Sequence, residues 1–210
     1  MNYLNKSLAL LFISSLLLSI TSTAQRIDID KKALSFLTSE KIINTQFYYN
    51  NLEIDGEITE AFFLEKMQTK ITSHSNEAEA KQWLDSYYEH KSTIWGNSFI
   101  SELNERLNDL TFVENDNTPK YTMKVSVAWM YFGYDAGIID QPAKVTLHVD
   151  FVETSNPEVI LFSTQIKRAM GTYNKTKGDG EGKGPSLNRM RKAFMFGAYK
   201  FAQALKRVVD

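Results

Sequence analysis

The 210-residue sequence predicts an α+β domain: a mixed, mostly antiparallel four-stranded sheet with helices packed on one face, in the order β-α-α-α-β-β-β-α. Three observations carry this prediction. Between Tyr121 and Phe151, two runs alternate apolar and polar side chains, the period of half-buried strands, and Val159 to Lys167 adds a third strand. Residues 59–110 and 186–208 space their apolar residues three and four apart, as amphipathic helices do. A β-branched and aromatic run from Ile42 to about Tyr49 stands alone before the helices, so it satisfies its backbone most readily by joining the later strands.

Taken in order, residues 1–24 read as a secretory signal peptide. Lys6 supplies the charged start, Leu8 to Ile20 the apolar stretch, and Ser22-Thr23-Ala24 the small-residue cleavage site. The apolar run is short and interrupted by Ser14, Ser15 and Ser19, which disfavours a membrane span. Residues 25–210 then form a single α+β domain, exported to the periplasm or the extracellular space, with no transmembrane segment in the mature chain.

Ala33, Leu34, Phe36 and Leu37 suggest a short helix before the first strand, and Asp55-Gly56 a turn after it. Ala61 to Ile71 fits a first long helix, broken at Ser73 to Asn76. Ala78, Ala80, Trp83, Leu84, Tyr87 and Tyr88 mark a second. Trp95, Phe99, Ile100, Leu103, Leu107 and Leu110 line a third, with Gly96 weakening its first turn. Aromatic side chains at this spacing are expected in the core.

Beyond Asn115 to Pro119 the period falls to two. Tyr121, Met123, Val125, Val127, Trp129 and Tyr131 alternate with intervening neighbours, as do Ala143 to Phe151, and Val159 to Lys167 is read as a third strand. Short turns between these runs predict an antiparallel meander. A glycine-rich stretch, Gly171 to Pro185, leads to a last helix N-capped by Ser186, with Lys206 and Arg207 near its negative end.

Composition removes several functions. With no cysteine there is no disulfide framework, thiolate zinc site or thiol nucleophile. Near balance between 24 Lys and Arg and 25 Asp and Glu argues against nucleic acid as a partner. His74, His90 and His148 show no metal-ligand spacing, and Asp179 and Glu181 lack the further ligands of a calcium loop, so no metal and no cofactor are expected. The glycine-rich stretch resembles a phosphate-binding loop in context only, because Gly182-Lys183 is followed by Gly184 rather than Ser or Thr.

That stretch is nevertheless strongly charged. Lys167, Arg168, Lys175, Lys177, Lys183, Arg189, Arg191 and Lys192 face only Asp179 and Glu181. An excess of this kind favours anions. Lys175, Lys177, Lys183, Arg189, Arg191 and Lys192 are therefore the candidate anion-binding residues. Asp55 and Glu57, then Asp140, are the carboxylates to inspect for catalysis.

The phrases Phe47-Tyr48-Tyr49-Asn50-Asn51-Leu52, Pro142-Ala143 and Phe151-Val152-Glu153-Thr154 before Asn156-Pro157 resemble a family of uncharacterised exported proteins of Gram-negative bacteria. The element order is similar to that of periplasmic α+β modules such as the amino-terminal domain of TolB. These likenesses imply a role in the cell envelope and carry no catalytic residues across.

The leading expectation is a non-enzymatic binding or scaffold module that recognises a protein or an anionic envelope component, glycan or lipid. The alternative is a glycan- or peptide-processing hydrolase with paired carboxylates and exposed aromatics such as Trp83, Tyr87, Tyr131 or Tyr134. A third reading is a homo-oligomer joined through exposed aromatics.

Overall fold

The computed structural model describes residues 27–56, 58–135, 140–171 and 184–209. The signal-peptide reading of residues 1–24 lies outside them. The fold is the expected α+β arrangement with a mixed sheet. Strand β1 (Ile42–Tyr48) is followed by two short strands, β2 (Glu53–Ile54) and β3 (Ile58–Thr59). Helices α1 (Glu60–His74), α2 (Glu77–Glu89) and α3 (Trp95–Arg106) come next, then β4 (Thr111–Glu114), β5 (Tyr121–Tyr131) and a small hairpin of β6 (Tyr134–Asp135) and β7 (Asp140–Gln141). Strands β8 (Lys144–Glu153) and β9 (Asn156–Met170) precede the final helix α4 (Leu187–Val209).

The sheet has seven strands among the described residues; its four long ones run in the order β1-β5-β8-β9, and the short β2, β3 and β4 join them. The pairs β5–β8 and β8–β9 are the antiparallel meander. As expected, β1 joins it, lying parallel to β5 from Asn44 opposite Thr122 to Tyr48 opposite Ser126. Strand β2 continues along the same edge of β5, and the Asp55-Gly56 turn, with Asp55 at φ 51°, folds β3 back onto it.

Three details depart from the sequence reading. The segment before β1 makes only a 3-10 turn, Ser35–Ser39, because Thr38 and Ser39 hydroxyls donate back to the carbonyls of Ser35 and Phe36 at 2.8 and 3.0 Å. The third helix ends at Arg106, not Leu110; Leu107 is extended, and both leucines are buried outside the helix. Strand β4 was hidden behind their helical spacing. It pairs parallel with β1, while the Asn104 side chain grips its other edge, accepting from Phe112 N–H at 2.8 Å and donating to Phe112 C=O at 2.9 Å.

Helices α2 and α3 form one rod through a π-helical segment, His90–Ile94. Side-chain oxygens of Thr59, Asn76 and Ser186 cap α1, α2 and α4 by accepting from Phe62, Glu79 and Arg189 N–H. The core lies between the helices and one sheet face. Its centre is aromatic: Tyr87 packs on Trp83 and Trp95, Trp95 stacks on Phe194 at 5.6 Å, and Phe63 stacks on Phe132 at 5.2 Å. Trp83 and Tyr87 are thus core residues, as their spacing implied, and do not serve as exposed aromatics for a hydrolase.

Candidate functional site

Helix α4 presents three of the six candidate anion-binding residues; Lys175, Lys177 and Lys183 lie outside the described residues. At about 100° per residue, positions 189, 191 and 192 cannot share one direction. Arg191 lies along the helix, its Nε donating to Asn188 Oδ1 at 2.8 Å. Lys192 lines the groove between α3 and α4 with the Glu102–Arg106 ion pair and Tyr199. Arg189 turns inward, only 9% exposed, on the face that also buries Met190 and Phe194.

The Arg189 guanidinium is unusual. Its Nε and Nη1 are buried and have no hydrogen-bond acceptor among the described residues. A guanidinium is always charged, and burying one without a carboxylate or other acceptor costs several kcal/mol or so. The same guanidinium acts on the nearby Tyr131 phenol, opposing the rise caused mainly by burial and then by Tyr134 and Asp55. Tyr131 donates to Gln141 Oε1 at 3.1 Å.

Tyr131 belongs to the sheet face that the helices leave uncovered. Met123, Val125, Val127 and Met130 point into the core, so Thr122, Lys124, Ser126, Trp129 and Tyr131 face the other way, with a bulge after Val127 bringing Trp129 to this side. Trp129 and Tyr131 stack at 6.2 Å, nearly parallel. Lys144 sits 5.4 Å above Tyr131 and Arg168 5.4 Å above Trp129. A second bulge, between β8 and β9, aims Arg168; its backbone is left-handed at φ 42°, and its N–H donates to Thr146 Oγ1. At the far end of the same face, Lys124 lies 5.6 Å over Tyr48, beside a cleft of about 770 Å³ lined by Gln46, Lys120, Thr122 and Thr154.

Of the carboxylates singled out in the sequence, Asp55 lies in its turn. Partial desolvation raises its carboxyl, against the Phe132 N–H and the Lys66 ammonium, which lower it. Glu57 and the Asp140 side chain lie outside the described residues. The sequence reading missed another acidic cluster. Tyr49 lies between Glu114 and Glu60, its buried hydroxyl without a partner, by a cleft of about 540 Å³ near the π-helical segment. Both Glu60 oxygens accept from Lys91 at 2.7 Å, and Oε1 also accepts from Tyr87 at 2.7 Å. Glu114, from the unforeseen β4, has its carboxyl raised by burial. The signal for this cluster was the Phe47-Tyr48-Tyr49 phrase, but only the parallel β1–β4 pairing brings Glu114 to it.

The histidines are dispersed. His74 and His90 contact the carbonyls of Lys70 and Ser86, and His148 pairs with Gln165 across β8 and β9. Among the described residues no group of His, Asp and Glu could hold a metal ion, and no helix is long and apolar enough to cross a membrane.

No family model and no curated protein matches the chain. Among solved structures, a chain from Helicobacter pylori described as a neuraminyllactose-binding hemagglutinin homolog is similar over 81% of this chain and 89% of that one, at 14% identity and a TM-score of 0.31. A likeness this loose establishes neither a shared fold nor a shared ligand.

Proposed function

We propose that this chain is an exported, non-enzymatic binding module of the cell envelope that captures an anionic group at the amino-terminal end of α4. The observation that carries the reading is the buried Arg189 guanidinium, two nitrogens of which lack acceptors among the described residues. A phosphate or carboxylate offers the paired oxygens that such a fork matches. The sequence around it, with eight basic residues against two acidic ones from Lys167 to Lys192, supplies the surrounding field. Export rests on the signal-peptide pattern and on the likeness to exported Gram-negative proteins.

A hydrolase is less well supported. Glu60 and Glu114 flank Tyr49, but Glu60 is committed through both oxygens to Lys91, which takes it out of proton transfer.

The test is titration with inorganic phosphate, following the Nε–H resonance of Arg189 by NMR at several salt concentrations. A saturable shift that weakens with salt is expected. Arg189→Met should abolish it while raising stability by about 1 kcal/mol or more, since an apolar side chain of similar length removes an uncompensated buried charge. An unmoved Arg189 resonance defeats the reading. In cells, neutralising Lys175, Lys177, Lys183 and Arg189 together should reduce envelope association.

A further inference from the structure

The sheet face that no described helix covers carries three units of one design. Lys124 rides over Tyr48, Arg168 over Trp129 and Lys144 over Tyr131, each with the cation 5.4–5.6 Å from the ring centroid. None of the three cations makes a salt bridge within the described residues; Lys124 donates only to the Pro157 carbonyl at 3.3 Å. Among the described residues, each unit thus joins an aromatic ring to a cation that makes no ion pair, although the Asp150 carboxylate stands opposite Lys124 across β5 and β8 and accepts from Ser163. From Lys124 to Tyr131 the strand runs seven residues, roughly 20 Å at the usual rise, so the units stand along an open track and not in one pocket. Between them lie short hydrogen-bonding side chains: Ser126, Thr146, and the Gln165–His148 and Ser163–Asp150 pairs.

We infer that this face binds a linear anionic polysaccharide laid along β5, its sugar rings against Tyr48, Trp129 and Tyr131 and its carboxylate or sulfate groups against Lys124, Arg168 and Lys144. Charge complementarity selects the occupant. A neutral glycan would use the rings but leave the three cations idle, whereas a small anion would meet one unit and ignore the others. The bulges argue the same way, because they turn Trp129 and Arg168 onto the track at the place where regular pairing would have pointed the next side chain into the core. This inference rests on the anion-binding reading for the sign of the ligand, and uses residues distinct from Arg189.

The experiment is calorimetric titration of the mature chain with hexagalacturonate, alongside maltohexaose as the neutral control and a thymidine hexanucleotide as a different polyanion, with Trp fluorescence recorded in parallel. Hexagalacturonate should bind saturably and at least tenfold more tightly than either control. Lys124→Met with Lys144→Met should weaken it about tenfold, with no change in thermal midpoint. Trp129→Ala gives a second variant and should remove the fluorescence response. Arg189→Met should leave hexagalacturonate binding within about twofold while abolishing the phosphate response, which separates this face from the α4 seat. No saturable binding of hexagalacturonate, equal binding of maltohexaose, tighter binding of the hexanucleotide, or an unaffected Lys124/Lys144 variant would each overturn the inference.

Discussion

Arg189 and Glu114 are mirror cases of a charged group held in surroundings that do not compensate it. Glu114 is half-buried on β4, and burial alone raises its carboxyl above the ordinary value of 4.5. A raised acid makes folding easier when protonated: its contribution is fully present below the unfolded value and is lost as pH climbs through the folded one. Glu114→Gln should therefore raise the thermal midpoint at pH 7, leave it unchanged near pH 3, and flatten the profile just above the ordinary carboxylate range. Thermal melts across that range decide it; a lower midpoint at pH 7 would show that the ionised Glu114 has a favourable partner. Neither residue could be singled out as buried from sequence. Arg189 read as one more member of a basic run, because a run of charges does not show which member a helix turns inward. Glu114 became interesting only once β4 was known to lie beside β1.

At the scale of elements, the periods of two and 3.6 were enough to read α1, α2, β5, β8 and α4, since each carries an apolar stripe, while β9 was read from its β-branched run. They failed where a short element borrowed its neighbour's rhythm. Leu107 and Leu110 continue the stripe of α3 by spacing, yet the chain leaves the helix at Arg106 so that β4 can reach β1 and the Asn104 amide. Bulges were equally invisible, although they compose the open face. At the end of the glycine-rich stretch, the structure supplies a reason for Gly184. A β-carbon there would run into the Trp83 indole, whose Nε1 donates to the Pro185 carbonyl at 3.1 Å and so pins the chain at the entrance to α4. Gly184→Ala should cost about 1–3 kcal/mol in urea unfolding and shift the Trp83 emission. An unchanged unfolding midpoint would mean that the segment moves aside at no cost and that the indole does not anchor it.

Across the whole molecule, the described sheet ends on β4, on the two-residue β3 and on β9, and the difference between the β4 and β9 edges predicts how copies of the chain behave together. The β4 edge is four residues long and is already occupied by Asn104. The β9 edge is long. Pro157 and the bulges opposite Val152 blunt its start, and the Asp28 carbonyl lies against Thr164 farther on, accepting from its hydroxyl at 2.8 Å. Between these guards, Val159, Ile160 and Leu161 are 52%, 56% and 36% exposed, a short apolar stretch on an edge strand, which is the template that sheets use to pair with another chain. So short a stretch supports only weak association, seen at high protein concentration. Sedimentation velocity over a hundredfold concentration range should show a rising average mass for the parent chain and a constant monomer mass for Ile160→Lys. Because Ile160 is largely in water, the same substitution should leave the unfolding midpoint almost unchanged. Persistence of association in Ile160→Lys would move the contact to exposed aromatics such as Tyr88 and Tyr134, while a large loss of stability would show that Ile160 packs within its own chain.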